Sequence, residues 1–518
     1  MNLNDFVAYW ARWRPDHPAL IFEEGAQSWG ALQRTVEALA LGLAAQGVRQ
    51  GDRVGLLMGN RPELAQLTLA VLRLGAIVVP LNFRLTTHEL RPLLEDCGCR
   101  LVVSEGKYLP LLESHAADLA LRIFATEGTD CQPFARLLIE TGCVPHVEVA
   151  ADDGAFICYT SGTTGRQKGA LLTHRSVIHP GQAKVLAEGL SWRDRILVAV
   201  PLVYTGAMIS CFMQLAVYAG ATMVLDADFN PDRYLATIER QRISALTTVP
   251  VIWERLLNSP EFATRDLSSL ISAAAGGAPV RPDLLAAYRA RGVALIQVYG
   301  LTEASGLVTT LRPEDAAGHP GCAGRAIMGT QIRIADAAGR SVPTGEVAEV
   351  LIRGPHVMRE YWNRPEDTAA NIRDGWLRSG DLGLMDEEGY LKIVDRAKDM
   401  IISGGMNVYP AEIEPPLAAI DGVVELAVIG VPDAQWGEVP LIILHTQRDA
   451  RTVIADIEAV GRKVLAGYKR PRHVVITAEP LPRTFSGKLA KAELRRRYPE
   501  APDDAHALFR SVGNRVAS

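Results

Sequence analysis

Cysteine is scarce in this chain, and its placement excludes the usual cysteine-based frameworks. Seven cysteines are scattered over 518 residues, an odd number without regular spacing. Cys97 and Cys99 are separated by a single residue, and no matching pair of cysteines or histidines follows them. This pattern argues against a zinc site. It favours a reduced chain in the cytoplasm over a disulfide-linked one.

Long apolar segments and an excess of positive charge are lacking as well. The longest apolar run, residues 207–221, is interrupted by Ser210, Gln214 and Gly220. It falls short of the ~20 residues that span a bilayer. Residues 1–20 lack the basic start and apolar core of a signal peptide. From these features we predict a cytoplasmic protein with no integral membrane segment. The formal net charge of −5 gives no indication of a basic surface for a nucleic acid, so we predict no nucleic-acid partner.

The first three-quarters of the chain alternates short apolar runs with helix-like segments. The overall composition, 48% apolar and 22% charged, is that of an ordinary globular protein. Thr86 and Glu89 form the capping-box pattern that starts a helix. Short apolar runs between helices indicate crossover units and buried, largely parallel sheets. The runs are residues 53–58, 76–81, 155–160, 196–200, 222–225, 244–249, 270–275 and 294–299.

After about residue 320 the segments become short, alternating and turn-rich. Residues 330–336, 345–354 and 389–395 are typical of antiparallel β structure. A basic, glycine-containing stretch then leads into another α/β pattern that ends in a predicted helix over residues 488–498. We therefore predict a domain of residues 1–395 followed by a smaller one of residues 396–518.

The segment YTSGTTGRQKGA, at residues 159–170, has the composition of a phosphate-binding loop. Its glycines allow backbone N–H groups to approach an anion, and Lys168 adds a counter-charge. Gln167 stands where the common P-loop pattern requires its second glycine. Ordinary loops after strands share this composition, so composition alone leaves both interpretations open.

Four further segments accompany this loop in a fixed order. They are QVYGLTE (297–303), SGD (379–381), DRAKDMIISGGMNVYPAEIE (395–414) and PRTFSGK (482–488). Together the five segments resemble the signature of the adenylate-forming superfamily, which comprises acyl-CoA synthetases, adenylation domains of peptide synthetases and firefly-type luciferases. The resemblance covers essentially the whole chain and is closest to the CoA ligases of fatty or aryl acids.

This resemblance implies both a fold and a reaction. The fold is α/β: a large N-terminal domain with two mainly parallel sheets flanked by helices plus a distorted β-barrel, followed by a small mobile α+β domain. In the reaction, a carboxylate attacks the α-phosphorus of ATP to give an acyl-adenylate and pyrophosphate. The thiol of CoA then displaces AMP. ATP, Mg²⁺ and CoA are the implied cofactors, and relatives are monomers or homodimers.

Most of the implied site residues belong to ATP. By resemblance Tyr299 would stack on the adenine, Asp381 would accept the ribose hydroxyls, Thr302 would contact the α-phosphate, and Glu303 would bind Mg²⁺, which prefers oxygen ligands. The residues that would hold pyrophosphate are Ser161, Gly162, Thr163, Thr164, Gly165 and Lys168. Further nucleotide contacts would come from Gly276, Gly277, Ala278, Gly300 and Arg396.

Two half-reactions imply two sets of residues in the C-terminal part. Lys488 would be the lysine of adenylation, bridging the substrate carboxylate and the α-phosphate. Asp395 would be the hinge about which the small domain rotates before thioester formation. The residues that would then meet CoA are Ser403, Gly404, Gly405 and Lys469.

The acid itself is not fixed by the sequence. Tyr204 stands where relatives often carry a histidine, and tyrosine cannot take a proton near neutral pH. No aspartate occurs in residues 201–215 to pair with an amino group, which argues against an amino-acid substrate. A mostly apolar pocket suits a medium or long fatty acid or an aryl acid. Its candidate residues are Tyr204, Thr205, Gly206, Met208, Val249, Trp253 and Ala274.

Three other functions are compatible with the resemblance. An acyl-AMP ligase would load a carrier protein instead of CoA, and a luciferase-like oxygenase would consume oxygen. A degenerate member would bind nucleotide without turnover, but it predicts eroded catalytic positions, and all those named above are present. Peripheral membrane contact is compatible with a long-chain substrate, although no cationic amphipathic stretch requires it.

Overall fold

The computed structural model describes residues 2–128, 131–160, 167–278, 280–404, 406–483 and 488–509. Ser161, Gly162, Thr163, Thr164 and Gly165 of the predicted phosphate loop lie outside the described residues, as does Gly405.

By its internal contacts the chain divides into two compact units. The first unit comprises Met1–Arg333, Leu351–Ser379 and Asp386–Leu391. The second unit comprises Ile334–Val350, Gly380–Met385 and Lys392–Ser518. The second unit therefore includes two segments that precede residue 395, and the contiguous boundary at 395–396 stays a prediction.

Strands and helices alternate through the first 173 residues. The strands are β1 (Pro18–Phe22), β2 (Gly25–Ser28), β3 (Arg53–Leu57), β4 (Ile77–Pro80), β5 (Leu101–Ser104), β6 (Arg122–Ala125), β7 (Gln132–Pro133), β8 (Gly154–Thr160) and β9 (Lys168–Thr173). The helices are α1 (Asp5–Trp13), α2 (Trp29–Ala45), α3 (Pro62–Arg73), α4 (Thr87–Cys97) and α5 (Pro110–Ala116), with 3₁₀ turns at Gly106–Tyr108 and Phe134–Leu137. The predicted capping box starts α4, because the Thr86 side chain accepts from Glu89 N–H and the Glu89 side chain accepts from Thr86 N–H.

The same alternation continues to residue 310. The strands are β10 (Arg195–Val198), β11 (Thr222–Leu225), β12 (Ala245–Thr248), β13 (Ser272–Gly276), β14 (Leu295–Tyr299) and β15 (Thr309–Thr310). The helices are α6 (His174–Glu188), α7 (Pro231–Gln241), α8 (Pro250–Leu257) and α9 (Pro282–Ala290), a π-helix at Gly206–Val217 and a 3₁₀ turn at Thr302–Ala304. A π-helix of this length is unusual, and such helices occur frequently at functional sites.

Strands dominate beyond residue 320, as predicted. They are β16 (Arg325–Ala326), β17 (Gln331–Ala335), β18 (Ala348–Arg353), β19 (Glu360–Tyr361), β20 (Ile372–Arg373), β21 (Trp376–Met385), β22 (Leu391–Arg396), β23 (Ile401–Ser403), β24 (Met406–Val408), β25 (Val423–Asp433), β26 (Gly437–Thr446), β27 (His473–Thr477) and β28 (His506–Ala507). The helices are α10 (Pro365–Asn371), α11 (Pro410–Ala418), α12 (Ala450–Val464) and α13 (Lys491–Arg497), with a 3₁₀ turn at Gly467–Lys469.

The last helix was predicted to begin too early. It starts at Lys491 instead of residue 488, because Leu489 pairs with Arg483 in an antiparallel bridge and is not helical. Lys488 therefore precedes the helix.

Two large sheets form the first unit, and both are mainly parallel, as predicted. A nine-stranded sheet has the order β16-β15-β14-β13-β12-β10-β11-β1-β2, and β11, β10, β12, β13 and β14 run parallel. An eight-stranded sheet has the order β19-β9-β8-β4-β3-β5-β6-β7, with β3, β4, β5 and β8 parallel. The carboxyl ends of the parallel strands within each sheet lie along one edge, where ligands of such sheets usually bind.

Two smaller sheets complete the fold. Strands β17, β18, β21 and β20, with β22 beside β21, form a half-barrel sheet. A six-stranded sheet of the second unit has the order β24-β23-β26-β27-β28, with β25 beside β26. Its two faces carry separate hydrophobic clusters, one around Ile442 and Ile457 and the other around Leu441 and Leu494. Among the described helices, none is both long and apolar enough to cross a membrane.

Candidate active site

The carboxylate of Glu303 lies just beyond the carboxyl end of β14. It accepts a hydrogen bond from the Tyr361 hydroxyl over 2.8 Å and one from Thr160 Oγ1 over 3.4 Å. Burial raises the pKa of Tyr361, and the nearby Glu303 charge raises it further. The hydroxyl therefore stays protonated and acts as a donor. Residues of β8 and β19 thus fix a carboxylate that the turn after β14 carries.

Lys168 lies on the other side of Tyr361. Its Nζ is 5.3 Å from the centre of the Tyr361 ring, and it forms an ion pair with Asp367 of α10. The side chain is only 14% exposed. The lysine of the predicted phosphate loop and the predicted Mg²⁺ ligand therefore converge on one tyrosine, which the sequence analysis did not identify.

A second contact joins the QVYGLTE segment to the segment around Tyr204. Thr302 Oγ1 and Thr205 Oγ1 are 3.1 Å apart, immediately before the π-helix. The Tyr204 hydroxyl is hydrogen-bonded to Asn82 and Arg84, and burial raises its pKa. The group in the place of the usual histidine is thus a neutral phenol held by an arginine.

Small residues shape the strand ends predicted to meet adenine. A side chain at Gly300 would place its Cβ 2.2 Å from the carbonyl oxygen of Gly306, so only glycine fits. Gly277 has a φ of +83°, which also favours glycine. Ala278 is exposed beside it, whereas Tyr299 is only 8% exposed.

Three predicted residues come together within the second unit, although more than a hundred positions separate the first from the last. Arg396 Nε lies 3.2 Å from Asp381 Oδ1, and Asp381 is only 5% exposed. Burial lowers the pKa of Lys488 to about 8, Arg396 and Lys398 lower it as well, and Asp381 opposes them. A lysine with this pKa beside a charged pair is typical of a functional site.

The predicted hinge and CoA residues have defined partners in the second unit. Asp395 accepts hydrogen bonds from the N–H groups of Arg396 and Ala411, the latter in the first turn of α11. Gly404 has a φ of +58°, and a Cβ there would lie 2.6 Å from the ring of Trp436. Among the other predicted CoA residues, Ser403 is buried and Lys469 forms an ion pair with Glu412.

Two predicted acid-pocket residues do not share a surface. Trp253 is fully buried in a hydrophobic cluster that includes Ala273 and Ala275, and Val249 packs against the same cluster. Ala274 belongs to another cluster. Successive strand residues point to opposite faces of a sheet, so the pocket assumed between Tyr204, Trp253 and Ala274 is corrected. Trp253 is a core residue whose indole N–H donates to the Ala274 carbonyl over 3.1 Å.

Met208, the remaining apolar candidate, is also fully buried. The hydroxyl of Thr68 donates to its sulfur over 3.8 Å. Tyr204, Thr205 and Gly206 lie at the amino end of the same π-helix.

A cavity of about 430 Å³ opens beyond the carboxyl ends of β3, β4, β10 and β11. Arg84, which holds the Tyr204 hydroxyl, is one of its lining residues. Several other charged groups of the lining are paired, such as Lys107 with Glu105 at 2.8 Å. This cavity was not predicted from the sequence, although the positions that follow parallel strands indicate where such a cavity forms.

The fold and the residues predicted to bind ATP define an adenylate-forming enzyme with two units. A profile of the AMP-binding enzyme family matches residues 7–362, and one of the AMP-binding enzyme C-terminal domain matches residues 412–488. The chain belongs to the AMP-binding enzyme family.

Its relatives include enzymes for both predicted classes of acid. A feruloyl-CoA synthase of an Amycolatopsis species is 40% identical over 94% of this chain and 97% of its own. A long-chain-fatty-acid–CoA ligase of Mycobacterium tuberculosis is 37% identical over 88% and 90%. The solved o-succinylbenzoate CoA synthetase of Bacillus subtilis, with its acyl-adenylate, has a TM-score of 0.86 and 31% identity over 95% and 97%.

These comparisons confirm the predicted superfamily and fold class. They also confirm the predicted reaction class, an AMP-forming acid–CoA ligase that uses ATP, Mg²⁺ and CoA. The roles of individual residues stay predictions.

Proposed function

We propose that this ligase activates an aryl acid or a medium- to long-chain fatty acid. The observation that carries the ATP-dependent chemistry is the convergence of Lys168 and Glu303 on Tyr361, a cation and a carboxylate suited to a magnesium–polyphosphate ligand. The names of the relatives, which include a feruloyl-CoA synthase and a long-chain-fatty-acid–CoA ligase, support both classes of acid.

In the adenylation step, a substrate carboxylate oxygen forms a bond to the α-phosphorus while the bond to pyrophosphate breaks. Glu303 fits Mg²⁺, because its carboxylate is fixed by two hydroxyl donors and hard cations prefer such oxygens. Bound Mg²⁺ would neutralise phosphate charge. Lys168 would exchange Asp367 for the departing pyrophosphate, and Thr302 would donate to the α-phosphate.

Asp381 and Arg396 would hold the ribose, while Lys488 would stabilise the negative charge that builds between the carboxylate and the α-phosphate. A compact ammonium on a flexible stem suits this task. Tyr299 and the backbone of Gly276, Gly277, Ala278 and Gly300 would hold the adenine.

In the second step, the CoA sulfur forms a bond to the acyl carbon, AMP leaves, and the thiol proton passes to solvent. We propose that residues 396–518 rotate about Asp395 between the steps, as the resemblance implies. Ser403, Gly404 and Gly405 would then border the pantetheine, and Lys469 would exchange Glu412 for a CoA phosphate. We further infer a cytoplasmic monomer or homodimer.

The experiment that tests the function is a pyrophosphate-release assay with ATP, Mg²⁺ and a panel of carboxylic acids. We expect release with at least one aryl or fatty acid, followed by AMP and acyl-CoA formation when CoA is added. If no such acid supports release, the substrate proposal is wrong. If release occurs but only a carrier protein, and not CoA, is acylated, the thiol acceptor is wrong.

A pH dependence follows from Lys488. Because burial and neighbouring cations lower its pKa to about 8, the ammonium loses its proton as the pH rises through 8. The adenylation rate should therefore be highest below pH 8 and fall above it. The Lys488→Arg variant, weaker overall, should lack this limb, because arginine stays protonated. Pyrophosphate release measured from pH 6 to about 10 checks the prediction. An unchanged limb in the arginine variant would assign it to another group.

A further inference from the structure

Helix α6 carries an ion pair that is almost completely withdrawn from solvent. The side chains of Lys184 and Glu188, one turn apart, are 0% and 3% exposed, and Lys184 Nζ lies 3.5 Å from Glu188 Oε1. Lys184 Nζ also donates to Thr247 Oγ1 over 3.0 Å, and the Ser272 hydroxyl donates to Glu188 Oε2. A protein in which apolar residues replace such a buried ion pair is often no less stable. Stability alone therefore does not account for these charges.

The pair lies on the face of the nine-stranded sheet that carries Ala274, one of the residues predicted for the acid pocket. Thr247 and Ala274 are register partners on adjacent strands, so both point to one face, opposite the Trp253 cluster. Gly276, two residues further along β13, marks the strand end assigned to adenine. Lys184 therefore contacts this face about 7 Å inward from the strand end.

Hydrogen-bonding capacity is left over in this pair and in the neighbouring π-helix. Within the described part of the chain, Glu188 Oε1 has no hydrogen-bond partner, since 3.5 Å to Lys184 is long and is an ionic contact only. The buried Ser210 Oγ of the π-helix also has no hydrogen-bond partner there. A Cβ at Gly306 would lie 2.4 Å from this oxygen, so Ser210 borders the strand-end loop that carries Thr302. The ammonium group of a lysine can donate three hydrogen bonds. Among the described residues, Lys184 has one hydrogen-bond acceptor, Thr247, and one ionic partner, Glu188.

We propose that Lys184 forms the far end of the acid pocket and donates a hydrogen bond to an oxygen on the substrate, remote from its carboxylate. This inference rests on the proposed function and narrows it to aryl acids that carry a hydroxyl, methoxy or carbonyl oxygen on the ring. A saturated fatty chain offers no acceptor and would leave the ammonium unsatisfied.

The net charge of the Lys184–Glu188 pair determines whether a neutral oxygen or a second carboxylate of the substrate is favoured there. Lys184 and Glu188 together carry no net charge, so a neutral acceptor leaves the buried site neutral. A second carboxylate would leave an uncompensated negative charge in an apolar interior, which is strongly unfavourable. The Lys184–Glu188 pair therefore favours acids that carry a neutral oxygen substituent on the ring and disfavours acids with a second carboxylate.

The test compares acyl groups on the wild type and on Lys184→Met/Glu188→Gln, which removes both charges together and avoids burying a single one. The probes are non-hydrolysable acyl-sulfamoyl-adenosines whose acyl groups are an unsubstituted arylpropenoate and its ring-hydroxylated counterpart. We expect the wild type to bind the hydroxylated probe about 10- to 100-fold more tightly and the double variant to lose this ratio. Arg91→Met/Glu95→Gln, an exposed i,i+4 pair of the same unit, is the matched control and should keep the wild-type ratio.

A single substitution at Glu188 tests whether its charge excludes a second carboxylate. Glu188→Gln leaves Lys184 without a counter-ion, so a probe whose ring carries a second carboxylate should bind at least about tenfold more tightly to it than to the wild type. A wild-type ratio near one, or a ratio retained by the double variant, overturns the inference. Probe selectivity without pyrophosphate release from any free acid would instead leave the inference standing and refute the proposed function.

Discussion

Replacing Lys488 with alanine is expected to lower pyrophosphate release by about 100- to 1,000-fold, the loss typical when one pre-positioned charge stabiliser is removed. Thioester formation from pre-made acyl-adenylate should keep most of its rate, because the α-phosphate charge no longer develops in that step. The measurement is a pair of assays on the same preparation, pyrophosphate release from ATP and acid, and CoA thioester formation from the adenylate.

The matched control is Lys463→Ala, which removes an exposed lysine from the last turn of α12 in the same unit. It should leave both half-reactions unchanged. Equal losses of both half-reactions in Lys488→Ala would show that Lys488 serves the fold of the unit or both steps alike, and the division of labour between the two steps would then be wrong.

Lys168→Ala provides a comparison of the two lysines. Lys168 is paired with Asp367 and would meet only the leaving pyrophosphate, so its loss should slow adenylation less than the loss of Lys488. The opposite ranking in the pyrophosphate-release assay would exchange their roles.

Local sequence signals predicted much of the architecture because they act within a few residues. The Thr86 cap and the short apolar runs each specify one element, and these elements formed with boundaries shifted by a residue or two. Parallel pairing followed from the alternation of runs and helices. The early start predicted for the last helix was wrong because Leu489 pairs with Arg483 in a short antiparallel bridge, which the helical propensity of the segment did not indicate.

The candidate site was harder to predict where its contacts join residues far apart in the chain. It was also harder to predict where the residues of a strand do not distinguish the buried face from the pocket face. Nothing near Tyr361 distinguishes it from any strand tyrosine, because its contact to Glu303 crosses 58 positions. Trp253 was placed in the acid pocket because the alanine-rich β13 gives no difference between its two faces. Lys184 was overlooked because a helical lysine is normally exposed, and only burial by neighbouring elements shows otherwise.

Replacing Glu303 with glutamine is expected to lower adenylation by about 100- to 1,000-fold at ordinary Mg²⁺ concentrations. The amide oxygen can still accept the hydrogen bond that Tyr361 donates over 2.8 Å, so the local packing is kept. The amide is neutral, however, and a weaker ligand for a hard cation. Pyrophosphate release titrated with Mg²⁺ should show that the variant needs more metal and is partly restored by it.

Two further variants separate the ligand from its surroundings. Tyr361→Phe removes the hydroxyl that orients the Glu303 carboxylate but keeps the ring beneath Lys168. Loss of such a partner typically costs about 10- to 100-fold in metal affinity or activity, so the Mg²⁺ requirement should rise in the same direction. Glu387→Gln, at an exposed turn, should behave as the wild type.

The Mg²⁺ titration is decisive because Glu303 has two roles open to it. As a metal ligand, it must change the Mg²⁺ requirement when its charge is removed. As an anchor for Tyr361, and through that ring for Lys168, it would lower the rate at every Mg²⁺ concentration alike. A loss of activity in Glu303→Gln without a shift in the Mg²⁺ requirement would therefore assign the carboxylate to the tyrosine and require that the metal be held by other oxygens.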